Sequence, residues 1–331
     1  MTAIKNYRMF ALALLALIVV SAAIPAYAQF SVVYNFGSHS GDPVEPQGVV
    51  AQGFDGSLYG TSNIGGANAG GTVFKITPAG ELKVLYSFCS QANCADGELP
   101  VSGLTLRPDG HFLGTTTSSS GAGTVFDISG TGSLTTLYNF TGGTDGGAPS
   151  APPILGPDGS FYGTAFVGGV GNCGTIYKIT TNGIKTVFTL LHKFNPSQGC
   201  NPNGALVLGT DGNLYGTTVR GGSSNDGVVF KITPAGKLAV LYNFDGTAGT
   251  NPAAPLIEGS DGNFYGTTTG NGTTGDFGEV FKITPSGTLT VLHSLNGTTD
   301  GKSIAAGVVQ ATDENFYGGA EEGGERQLCL Y

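Results

Sequence analysis

Short apolar runs with period-two alternation recur along the chain, separated by clusters of glycine, proline, aspartate and asparagine. This pattern predicts short antiparallel strands joined by tight turns, because alternate strand residues face opposite sides and these turn residues accept the chain reversal. Residues 205–244 show it clearly. ALVLGT (205–210) reads as strand A, NLYGTTV (213–219) as strand B, GVVFKIT (227–233) as strand C and KLAVLYNF (237–244) as strand D. Asp211-Gly212 joins A to B, and Pro234-Ala235-Gly236 joins C to D; proline presets φ and glycine tolerates positive φ at such reversals. In strand D, Leu238, Val240, Tyr242 and Phe244 are expected on one face, with Lys237, Ala239, Leu241 and Asn243 on the other.

This unit repeats. DGSLYG (55–60) returns as DGHFLG (109–114), DGSFYG (158–163), DGNLYG (211–216), DGNFYG (261–266) and DENFYG (313–318), at intervals of 54, 49, 53, 50 and 52 residues. A strand-C motif follows the first five copies, from FKIT (74–77) to FKIT (281–284), and a strand-D motif closes each, from LYSF (85–88) to LHSL (292–295). Four short antiparallel strands per fifty residues predict the blade of a β-propeller. A β-solenoid is the competing architecture, but its coils are shorter and parallel, whereas two- to four-residue links demand hairpins. The expected fold is all-β: a six-bladed propeller with repeats at 47–88, 102–140, 152–194, 204–244, 254–295 and 305–331. The last lacks a strand D, and SVVYNF (31–36) is a strand D without A, B or C, so the two ends are expected to complete one blade. After Gly323-Gly324 only ERQLCLY (325–331) remains, either a degenerate strand C or the sign of a truncated last unit, towards which the pattern leans.

Residues 1–28 stand apart. Lys5 and Arg8 precede an apolar core at 10–20, and Ala26-Tyr27-Ala28 forms an A-x-A cleavage site, making Gln29 the expected mature N-terminus. An uncleaved anchor is the alternative. Removing Lys5 and Arg8 takes the net charge from −9 to −11, and so acidic a chain lacks the cationic surface that nucleic acid requires. Stable membrane insertion of the mature chain is not expected, since no second long apolar run exists. The setting is secreted, periplasmic or cell-surface, and a monomer is expected.

The combined pattern YGTT…GG…GTVFKITP-x-G…LYxF…DGNxYG resembles the bacterial tandem-repeat family called GloVer repeats, over residues 31–324. The resemblance implies an exported propeller-type protein whose relatives carry varied C-terminal surface-sorting signals, with no assigned catalytic residues. No recognisable anchor motif is present in this chain, a departure from that pattern. The order of strands also resembles that of NHL-type propellers, in architecture alone.

Candidate chemistry is sparse. Variation concentrates in the B–C loops 62–71, 118–123, 167–173, 220–226 and 269–278, which with the D–A loops form one rim, where binding is expected. Asp42, Asp96, Asp145 and Asp300 recur in D–A loops; they suggest Ca²⁺, but Asp-Gly turns account for them without a metal, and no loop carries three carboxylates in ligand spacing. The tyrosines 59, 162, 215 and 317 invite sugar stacking, though their shared blade position favours packing. His39, His111, His192 and His293 suggest no convergent site. No catalytic, metal or cofactor residues are predicted. Among five cysteines, Cys89 with Cys94 and Cys173 with Cys200 are expected to form disulfides, leaving Cys329. The function expected is non-enzymatic binding of an extracellular protein, glycan or envelope component. The alternatives are a polymer hydrolase or lyase at the channel mouth and a purely structural envelope protein.

Overall fold

Each of the first five repeats folds as one four-stranded antiparallel sheet in the order A-B-C-D. In the computed structural model the described residues are 32–118, 122–181, 185–270, 277–323 and the strand at 329–330. Two compact units arise, Met1–Val33 and Tyr34–Tyr331, and every element below lies in the second. The expected leader and its Ala28–Gln29 cleavage point fall outside the described residues. The fourth sheet is representative: Val207–Leu208, Leu214–Thr218, Val228–Ile232 and Leu238–Asn243. The sixth has three strands, Val309–Gln310, Phe316–Gly318 and Cys329–Leu330, so the terminal residues do supply a short strand C.

Strand A is shorter than its six-residue apolar run. The residues before it are drawn instead towards the adjacent sheet, whose B-strand threonines donate to their carbonyls: Thr115 to Ala151, Thr217 to Ala254 and Thr267 to Ala306 at 3.1–3.3 Å, and Thr61 to Ser102. Those backbone groups thus find partners outside a sheet ladder. This explains the third position of the recurrent Tyr-Gly-Thr. The second follows from sterics. The C-strand aromatic closes directly on the glycine, so a Cβ on Gly216 would sit 2.6 Å from Phe230 Cζ and 3.0 Å from Leu206 Cδ2. Gly60, Gly114, Gly163 and Gly266 meet Phe74, Phe126, Tyr177 and Phe281 in the same way.

The core is a series of junctions. Five apolar clusters each span two consecutive sheets; the third-to-fourth joins Tyr162, Ile176 and Phe194 to Leu206, Leu214 and Phe230. One contact recurs at four consecutive junctions: the last aromatic of strand D packs against the C-strand aromatic of the following sheet. Centroids are 5.2 Å apart for Phe88–Phe126, 5.2 Å for Phe140–Tyr177, 5.1 Å for Phe194–Phe230 and 5.4 Å for Phe244–Phe281.

Strand D corrects the simple alternation. A bulge lies between the residues opposite Val229 and Phe230, leaving Leu241 as the extra residue. Leu238 and Val240 pack towards the third sheet, while Leu241, Tyr242 and Phe244 pack towards the fifth. A bulge rotates the strand, so one strand serves both neighbours.

The pairing expected between 31–36 and the last sheet is not present among the described residues, and 32–36 carry no strand. Phe36 nonetheless packs on Phe74 at 5.1 Å, the contact that strand D makes with the next sheet at the four junctions from the first sheet to the fifth. The Tyr34 hydroxyl donates to Asp42 at 3.0 Å, as Tyr86 does to Asp96 and Tyr138 to Asp145. Tyr34 and Phe36 therefore occupy strand-D positions ahead of the first sheet.

Candidate functional site

On the rim of short A–B and C–D turns, the turn aspartate gathers a fixed set of donors. Asp158 accepts from the Ser160 N–H (3.1 Å), the Tyr162 hydroxyl (3.1 Å) and the Lys178 ammonium (2.6 Å). Asp55 does the same with Ser57, Tyr59 and Lys75, and Asp211, Asp261 and Asp313 hold Tyr215, Tyr265 and Tyr317 at 2.7–2.9 Å. Burial raises the Asp158 pKa, but the Lys178, Ser160 and Tyr162 bonds outweigh it and hold the carboxyl at about 2. For Tyr265, burial and the Asp261 carboxylate push the phenol up to about 12. The tyrosine rings pack between sheets, Tyr215 stacking on Phe264 at 3.9 Å and Tyr265 on Phe316 at 3.9 Å. These groups anchor the blade.

The second sheet departs from this arrangement, and sequence reasoning missed it. Leu113 stands in the tyrosine position and Asp127 in that of Lys75, Lys178, Lys231 and Lys282. Arg107 and His111 fill the gap: the His111 Nδ1 lies 2.6 Å from Asp127, Arg107 pairs with the other Asp127 oxygen, and its second nitrogen reaches Asp109 at 2.8 Å. The available signal was the simultaneous loss of Tyr and Lys from one copy.

On the loop rim, the recurrent D–A aspartates are filled locally. Asp96 accepts from Tyr86 Oη (2.8 Å), Ser90 N (2.9 Å), Ser90 Oγ (2.8 Å) and Gln91 N (3.2 Å). Asp300 takes the His293 Nε2 (2.8 Å) and the Asn296 N–H (2.8 Å), and Gln198 substitutes for aspartate beside His192. The histidines at the D-strand tyrosine position thus do the tyrosine's work. His39 lies beside Asp42, to which its N–H donates.

Cys89 and Cys94 lie at bonding distance with Cα atoms 4.0 Å apart, as do Cys173 and Cys200 at 4.1 Å; the side chain of Cys329 lies outside the described residues. Cys173 precedes strand C of the third sheet and Cys200 follows its strand D, so that pair closes a 27-residue separation at the third-to-fourth junction. Replacing both by serine should cost about 3 kcal/mol, read as a lowered urea midpoint that added reductant shifts less than it shifts the wild type, since only Cys89–Cys94 remains to be reduced. Among the described residues, Cys89, Cys94 and Glu98 bring three potential metal ligands within 4.8 Å, but the two sulfurs are bonded to each other.

Two cavities stand out. One of about 210 Å³ lies on the loop rim between the first and second sheets, where Cys94 and Glu98 face Ser118, Thr124 and Asn139. The larger, about 320 Å³, lies on the opposite, short-turn rim of the same junction. The binding rim expected from loop variability therefore carries the smaller of these two cavities.

One buried carboxylate has no counterpart in other repeats. Glu279 begins strand C of the fifth sheet where the others carry Thr72, Thr124, Thr175 and Val228. It is 3% exposed, Ser294 donates to Oε1 at 3.1 Å, and Oε2 has no protein partner. Burial raises its pKa above the ordinary 4.5, against a smaller lowering by Ser294. The fold thus holds this proton more tightly than the unfolded chain, and stability falls as pH rises from 4.5 through the folded value. Glu279→Gln should stabilise the protein by about 1–3 kcal/mol at pH 7 and leave it unchanged near pH 4, as paired thermal melts would show.

These sheets and junctions define an all-β, propeller-like repeat protein. The chain belongs to the Gloeobacter/Verrucomicrobia repeat family, whose model matches residues 19–154 and 108–329. No curated protein matches it in sequence. Among solved structures it is similar to a candidate 6-phosphogluconolactonase from Bacteroides uniformis ATCC 8492, at 16% identity over 88% of this chain and 82% of that one, with a TM-score of 0.59. It is also similar to one from Bacteroides fragilis NCTC 9343 (18% identity, 84% and 78% covered, TM-score 0.55) and to a gluconolactonase from Xanthomonas campestris (11% identity, 84% and 84% covered, TM-score 0.51). At such identities the likeness establishes the fold alone.

Proposed function

We propose that this chain is an exported, monomeric, non-catalytic six-bladed propeller that binds an extracellular protein, glycan or envelope component through its loop rim. One observation carries the reading: the recurrent ionisable groups of both rims are engaged in the same bonds within sheet after sheet, as structural anchors are, while the loops around the 210 Å³ cavity differ in every repeat. Two cysteine pairs at bonding distance fit an oxidising extracellular setting. Among the described residues no helix is long and apolar enough to cross a membrane. A binding screen of the exported protein against glycans, envelope polymers and envelope proteins tests the reading. Binding that Asn139→Trp abolishes by filling the loop-rim cavity supports it; conversion of any polymer into products contradicts it.

Ring closure is part of the proposal. The Phe36–Phe74 contact supports it, as do Val50 and Val309, 44% and 61% exposed, which closure would cover: Val50 holds the repeat position of Leu104, Leu206 and Leu256, each buried against the preceding sheet. A second reading, polymer hydrolysis, is favoured by the His111–Asp127 pair, since a carboxylate that orients an imidazole makes a general base. Under that reading His111→Ala would eliminate turnover while leaving ligand affinity intact.

A further inference from the structure

We infer that the groove between the first and second sheets on the short-turn rim is a saccharide-binding site, and that it takes a neutral sugar ring. It deepens the binding reading by adding a second surface, on the face opposite the variable loops.

The groove is built by one departure from the repeat. The residue before the A–B turn is Pro108, Pro157, Thr210, Ser260 and Thr312 in five copies, but Phe54 in the first. Phe54 is 74% exposed, an unusual state for a large aromatic ring, and it forms one wall of the 320 Å³ cavity. The opposite wall is the C–D turn of the second sheet, at Gly130 and Thr131. Tyr59 and Phe112, stacked at 4.2 Å, line it as well. Gly130 helps keep it open, since a Cβ there would lie 3.1 Å from the Tyr59 hydroxyl. A cleft of this volume lies at the lower end of the range for small-molecule sites, room for about one or two sugar residues.

Its polar lining is fixed before any ligand arrives. Asp55 accepts from Lys75 at 2.6 Å and from Tyr59 at 3.0 Å, which sets a carboxylate and an ammonium side by side. Lys75 has three N–H donors and Asp55 several lone pairs, so each retains capacity beyond their mutual bond. An acceptor adjacent to a donor matches neighbouring hydroxyls, one donating to the carboxylate and the next accepting from the ammonium. An aromatic wall matches the C–H face of the same ring. Charge selects among sugars. The local pair is neutral overall and the protein is strongly acidic, so uronates, phosphorylated sugars and nucleotides are repelled. Preorganised polar groups also reduce the ordering cost that weakens binding.

Isothermal titration of the full exported protein with neutral gluco-oligosaccharides (malto-, cello- and laminari-series), alongside oligogalacturonates of equal length, tests the inference. The expected result is binding of at least one neutral series, no binding of the charged one, and an affinity loss of about tenfold or more in Phe54→Ser, which installs the residue of the fifth repeat. Phe54 is exposed, so this variant should retain the wild-type melting temperature. Thr131→Trp, on the exposed turn opposite, should block the groove and abolish binding. The inference is overturned if no neutral series binds up to about 10 mM, if the charged oligosaccharides bind more tightly, or if Phe54→Ser binds as wild type does. Binding that survives Phe54→Ser and Thr131→Trp but is lost in Asn139→Trp would sink this groove and leave the loop-rim reading standing.

Discussion

Phe230→Ala should destabilise the protein by about 3–5 kcal/mol, a change large enough to threaten folding of the whole chain. Phe230 is fully buried, packs edge-on against Phe194 at 5.1 Å and covers Gly216. Removing it leaves a void that Phe194, held from the third sheet, can fill only in part, so cavity and transfer costs add. The edge-on aromatic pair contributes roughly 0.5–1.5 kcal/mol beyond burial, and that also goes. Urea unfolding measures the effect. A loss below about 1 kcal/mol would mean that the recurrent D-to-C aromatic contact is incidental.

The converse substitution should be comparably damaging. Gly216→Val places branched carbons where a single Cβ already lies 2.6 Å from Phe230 Cζ and 3.0 Å from Leu206 Cδ2. Neither neighbour is a flexible chain end in open space. Overpacking commonly costs 1–3 kcal/mol, and the additional methyls push the expectation to about 3 kcal/mol or more. The pairing gives a sharper test than either variant alone. In Gly216→Val/Phe230→Ala the added carbons occupy space that the lost ring vacates, so the double variant should be more stable than the summed losses by over 1 kcal/mol. Strict additivity would contradict the close packing of ring against glycine.

The repeat was legible because its signals are local. An Asp-Gly turn, a Tyr-Gly-Thr strand and a Phe-Lys-Ile strand each declare themselves within a few residues, and their order fixes antiparallel pairing. The bulge at Leu241 was hidden, since an extra residue in an apolar strand leaves a plausible alternation whichever residue is unpaired. The inter-sheet role of Thr217 was hidden too, because its acceptor, the carbonyl of Ala254, is 37 residues away. For the candidate sites the position is reversed. Loop variability pointed to one rim, whereas the larger cavity depends on Phe54, one unusual residue in an otherwise conventional turn. Likewise, Arg107, His111 and Asp127 are ordinary one by one. They become a cluster only when Asp127 is seen to replace a lysine that, in the first, third and fourth copies, pairs with the turn aspartate.

Closure of six repeats into a ring is most directly tested by disulfide trapping at the junction between the sixth and first sheets. Thr210 and Glu258 meet across the fourth-to-fifth junction (2.8 Å), and Ser260 and Gln310 across the next (2.9 Å). Thr312 and Gln52 hold the same two repeat positions at the sixth-to-first junction. Cysteines at Thr312 and Gln52 should therefore cross-link within one molecule under mild oxidation, as readily as a reference pair at Thr210 and Glu258. If the reference pair links and the Thr312–Gln52 pair stays reduced, the repeats do not form a ring.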